Sequence, residues 1–172
     1  VPFAYYDRLS PARQRTYRRS DEIGAVALPA SVAVGAEIAL IRDALGREDA
    51  ARVRAASQRV IDALVAGFAV PPIRVRVLAR RPADGSGELH GLYEPEEGST
   101  PARITVWMRT AQRRDVVAFR TYVRTLVHEL CHHLDYELYK LPETFHTAGF
   151  YQRESSLATA LFAQAEPLQP EN

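Results

Sequence analysis

The stretch LVHELCHHLDYELYKLPETFHTAGF, Leu126 to Phe150, decides how this chain is read. Inside it, His128-Glu129-Leu130-Cys131-His132 is an H-E-x-x-H pattern. Two histidines four apart on a helix lie one turn apart on one face, so both imidazoles reach a single metal ion. The carboxylate beside the first histidine is placed to act on water without ligating the ion itself. Zinc lowers the pKa of water it activates to about 7, which brings the proton within reach of a carboxylate base.

The helical setting this chemistry needs is present. Apolar spacing predicts a helix from about Asp115 to Leu141, stopped by Pro142. Val116, Phe119, Val123, Leu126, Val127, Leu130 and Leu134 share its apolar face. His128 and His132 project from the opposite face, near Thr121, Asp135 and Tyr139. A further helix is expected over roughly Thr147 to Ala165.

A two-histidine site needs a third protein ligand. His146 lies 14 residues after His132, beyond the proline break, where a reversing chain returns it over the helix. Glu154, 22 residues after His132, is the competing carboxylate. Asp135 either orients a metal-binding imidazole or forms a surface pair. His133 falls on the wrong face and reads as a packed or capped side chain, and His90 as a structural residue in a strand. Cys131, beside the apolar stripe, reads as a small buried hydrophobe.

Upstream, Ser10-Pro11 marks a helix start, followed by a basic cluster of Arg13, Arg15, Arg18 and Arg19. Helices are expected from about Ser31 to Gly46 and from Glu48 to Gly67. Val53, Val60, Ile61, Leu64 and Phe68 line one face of the second, and Pro71-Pro72 ends it. Three strands follow: Ile73 to Ala79, Leu89 to Tyr93 and Arg103 to Met108. A turn cluster, Asp84-Gly85-Ser86-Gly87, lies between the first two. Their short connections predict a small antiparallel sheet. The fold class is α+β, in one domain over 1–172: an N-terminal helical extension (1–47) and a core (48–166).

The 172 residues include 47% hydrophobic and 25% charged residues, a globular and not a disordered composition. With 22 basic and 21 acidic residues the net charge is +1, which argues against a dedicated nucleic-acid binder. Cys131 is the only cysteine, so neither an intramolecular disulfide nor a cysteine zinc knuckle is available. The most apolar stretch, Gly24 to Ile41, contains Pro29 and Glu37 and makes a poor membrane span. No membrane partner and a cytoplasmic location are the expectations.

The pattern at His128–His132, followed by Phe145-His146-Thr147-Ala148-Gly149-Phe150, resembles the SprT-like (Spartan-like) zinc metallopeptidases. These carry H-E-x-x-H on one helix and a third zinc histidine in an H-G-x-x-F type segment opening the next. His146 and Phe150 match, and Thr147 stands where the family usually has glycine. The resemblance implies a minimal zincin fold with one Zn2+ per chain held by His128, His132 and His146. It gives Glu129 the role of general base and then of proton donor to the leaving amine. It also implies an extended peptide or unfolded protein as substrate, laid along an edge strand, for which Arg103 to Met108 is the candidate. The family's DNA-linked members bring in a nucleic-acid partner, which the near-neutral charge disfavours.

A tyrosine or an arginine would assist zinc in stabilising an oxyanion, with Tyr93, Tyr139 and Tyr151 as the available tyrosines. The rival class is a non-catalytic zinc-binding regulatory module, which would have no use for Glu129. A DNA-associated protease anchored through the Arg13–Arg19 cluster is the other alternative. The first 45 or so residues are either a cover over the cleft or additional packing.

Overall fold

The computed structural model describes residues 2–81, 91–109 and 116–166. The Asp84–Gly87 turn cluster, Leu89 and His90 lie outside them. A short 3-10 turn, Ala4–Arg8, precedes α1 (Pro11–Glu22), α2 (Gly35–Gly46) and α3 (Ala50–Phe68). Then come β1 (Ile73–Leu78), β2 (Gly91–Glu94), β3 (Ala102–Trp107), α4 (Phe119–Glu137) and α5 (Ala148–Ala165). Local chemistry sets the helix starts. The Ser10 hydroxyl accepts from the Arg13 N–H ahead of Pro11, and the Asp49 carboxylate accepts from the Arg52 N–H. α3 ends at Ala69, whose φ of 54° leaves the helical region just before the two prolines.

The fold is α+β, but the sheet is mixed and not antiparallel. Its order is β1-β3-β2, with β1 parallel to β3 and β2 antiparallel to β3. The stretch from Ala79 to Pro101 is long enough for the crossover of a dozen or more residues that a parallel pair requires. β2 is laid down within that crossover and takes the far side of β3. The assignment of Arg103–Met108 as an edge strand is therefore also corrected: β3 is central. Its burial fits, since five of its six residues are buried, whereas β1 alternates Ile73 and Val75 inward with Arg74 and Arg76 outward.

α4 packs across β2 and β3, and α5 packs on α4, α2 and α1. The main core runs through Ile38, Ile61, Leu64, Ile104, Leu130 and Leu161. Tyr6, Tyr17 and Phe145 form a separate aromatic cluster beneath the N-terminal turn. α4 stops at Glu137, short of Leu141, because Lys140 adopts a φ of 53° and turns the chain toward Pro142. No helix among the described residues is long and apolar enough to cross a membrane.

Candidate metal centre

α4 supplies His128 and His132, and the turn before α5 supplies His146. Thr147 caps α5 by accepting the Phe150 N–H at 2.9 Å, which fixes where the chain leaves His146 and enters the helix. His146 Nε2 lies 3.1 Å from His128 Nε2 and 3.1 Å from His132 Nε2. The ring of Phe150, fully buried, touches all three imidazoles, with centroids 5.0, 4.8 and 5.1 Å away.

The hydrogen bonds at the far ring nitrogens fix the tautomers. His128 Nδ1–H donates to Glu154 Oε2 at 3.1 Å. The Thr144 hydroxyl donates to Asp135 Oδ2 at 2.7 Å, so its oxygen accepts from His132 Nδ1–H at 2.8 Å. Both rings then turn an Nε2 lone pair toward His146. A single cation between the three rings would be held by all three Nε2 nitrogens at once. Two of the three nitrogen pairs are 3.1 Å apart, and all three ligand atoms lie within 4.8 Å of one another, a cluster small enough for one zinc ion with Zn–N bonds of about 2.0–2.1 Å. Neutral imidazoles of this geometry suit zinc.

Glu129 is buried beside the cluster, pointing into a cleft of about 170 Å³ that it lines with Leu92, Tyr93, Pro95, His132 and Tyr136. β2 forms the wall of that cleft. On the other side, Tyr151 packs against His146 and His128, with centroids at 5.8 and 6.3 Å. Phe3 meets Tyr151 edge-on at 6.4 Å, and the Tyr5 hydroxyl donates to the His146 carbonyl at 3.2 Å. Burial is the main cause that pushes the Tyr5 hydroxyl up to about 12, so it remains a donor.

Glu154 sits behind His128, and His146 occupies the third corner of the cluster. Asp135 is no surface group. It is fully buried and joined to Arg153, itself fully buried, at 3.0 Å. Burial pushes its carboxyl up, against the downward pull of Thr144 and Arg153. His133 points away from the cluster. Its Nε2–H donates to the Pro71 carbonyl at 2.8 Å, so Nδ1 accepts from the Tyr93 hydroxyl at 2.8 Å. Tyr93 is thus committed to His133, and Tyr139 lies under the Arg153 guanidinium at 5.4 Å. Cys131 is fully buried, with burial pushing the thiol well above its ordinary value.

Sequence reading missed Thr144, Arg153, Tyr136 and Gly91. Arg153 carried a signal: with Phe150, Leu157 and Leu161 it lies on the buried stripe of α5. An arginine in such a stripe requires a buried acid, and Asp135 is that acid.

Comparison with protein-family models, curated proteins and solved structures finds no match. His128, His132 and His146 form a candidate zinc-ligand triad of the zincin type, with their ligand atoms within 4.8 Å of one another.

Proposed function

We propose that this protein is a single-domain zinc metallopeptidase of the SprT-like kind, cleaving extended peptide or unfolded protein. The observation that carries the reading is the convergence of three imidazole Nε2 atoms, one of them on His132, which shares the lining of an open cleft with the buried carboxylate of Glu129. His128, His132 and His146 would hold a zinc ion, which when bound would supply Lewis-acid activation of water and of the substrate carbonyl. Glu129 takes the proton of the attacking water and hands it to the leaving amine. Phe150, and the hydrogen bonds that His128 donates to Glu154 and His132 donates to Thr144, keep the imidazoles in place and in the tautomer a metal requires.

β2 replaces β3 as the strand that receives substrate. It is an edge among the described strands, and its Leu92 and Tyr93 line the cleft with Glu129. An extended peptide added there gains main-chain hydrogen bonds with little sequence demand. Glu129 disfavours the non-catalytic rival, because a site that only holds zinc has no need of a buried carboxylate beside it.

The test is hydrolysis of an unfolded protein by the zinc-loaded chain and by Glu129→Gln. The variant should retain zinc and lose ~10²–10⁴ in rate. Equal cleavage by both would remove Glu129 from this role.

A further inference from the structure

The C-terminal end of α1 lies against the start of α5. A Cβ on Gly149 would sit 2.5, 2.6 and 2.6 Å from the carbonyl oxygens of Ser20, Asp21 and Ile23, so only glycine permits this approach. The Asp21 carboxylate accepts from the Gly149 N–H at 3.1 Å, and the Ser20 and Thr147 hydroxyls are 3.0 Å apart. Thr147 directly follows His146, whose carbonyl already receives the Tyr5 hydroxyl.

A second route starts from the same helix end. Arg153 donates to the Ser20 carbonyl at 2.8 Å, to the Ile23 carbonyl, and to the Ser20 hydroxyl at 3.1 Å. It also pairs with the Asp135 carboxylate, at 3.0 Å. Asp135 holds Thr144, and Thr144 holds His132. A buried guanidinium is tolerable only while its partners stay in place. The partial negative charge of the α1 carbonyl end supplies part of that compensation. Displacing α1 strips Arg153 of these acceptors and frees the Asp135–Thr144 pair that fixes His132.

We infer that residues 2–23 are a positioning element of the metal centre: the end of α1 sets His146 through Thr147 and Gly149, and His132 through Arg153, Asp135 and Thr144. The inference rests on the zinc reading above. It makes the N-terminal segment part of the site's construction and not a detachable cover.

The test uses the full chain, with zinc affinity measured by chelator competition and the visible spectrum of the cobalt-substituted protein as a geometric readout. Apo-protein melting serves as the folding control. Thr144→Val should weaken zinc by ~10–100-fold, the usual effect of removing an outer partner of a ligating histidine. Thr144→Ser, which keeps the hydroxyl, should restore affinity. Gly149→Ala should weaken zinc and shift the cobalt bands. If Gly149→Ala does not fold, Ser20→Ala decides the same point, since it deletes a hydroxyl and adds no atom. Unchanged zinc affinity and cobalt spectrum in folded Gly149→Ala, or failing that in Ser20→Ala, overturns the inference even if Thr144→Val weakens binding. A parent protein that binds no zinc would overturn the metallopeptidase reading itself, whereas a zinc-binding parent with indifferent α1-contact variants overturns this inference alone.

Discussion

Gly91 on β2 approaches Glu129 on α4 so closely that a Cβ would lie 2.8 Å from Oε1 and 3.0 Å from Cγ of the glutamate. Thr125 closes the same space, with its Cγ2 at 2.9 Å. The edge strand that walls the cleft thus also fixes where the carboxylate rests. Gly91→Ala should leave zinc affinity at the parent level and lower peptide hydrolysis by about 10²-fold, as an ångström-scale displacement of a reacting group does. Zinc titration alongside cleavage assays measures both effects. An unchanged rate would show that the pose of Glu129 does not depend on this contact.

His146 and Glu154 should separate cleanly by metal affinity. His146→Ala removes a corner of the cluster and should all but abolish zinc binding. Glu154→Gln removes only the carboxylate that receives His128 Nδ1–H and should cost ~10–100-fold. Chelator competition on folded variants makes the comparison. The reverse order of effects would make Glu154 the ligand.

His133 should give the apo-protein an acid-sensitive stability. Burial, the larger influence, lowers its pKa, against the upward pull of the Pro71 bond. The unfolded chain takes up this proton near pH 6.5, more readily than the native one. Protonation therefore favours unfolding: the contribution is complete above that pH and is lost as pH falls through and below it. Melting in chelator between about pH 7 and pH 5 should fall less steeply for His133→Asn than for the parent. Parallel curves would contradict the assignment of a neutral native His133.

Arg153→Met should destabilise the fold by ~3–5 kcal/mol, because it strands the buried Asp135 carboxylate. Urea unfolding measures the loss. A change within ~0.5 kcal/mol, the usual range for a surface substitution, would mean that the pair is not compensating buried charge.

Ser10-Pro11 at the start of α1 and Pro71-Pro72 after α3 were legible as punctuation, whereas α2 and α4, which have no side-chain cap, were legible from apolar spacing. The histidine pair was legible because a four-residue spacing is set by helix geometry alone. Strand pairing was not, since β1 and β2 are neighbours in the chain but not in the sheet. The stretch Ile104-Thr105-Val106-Trp107-Met108, apolar at all but Thr105, held the missed clue, for a strand without clean apolar–polar alternation is covered on both faces. The supports of the imidazoles were hidden for a similar reason. Thr144 sits between Asp135 and His132 through a loop reversal, and Arg153 reaches across from another helix.

The most direct test of the central claim is the zinc content of the chain, determined by elemental analysis on protein prepared without chelator or metal-affinity chromatography. The expected result is about one zinc per chain, as a three-histidine site with an open position requires. Protein that is metal-free and takes up no zinc on titration would contradict it.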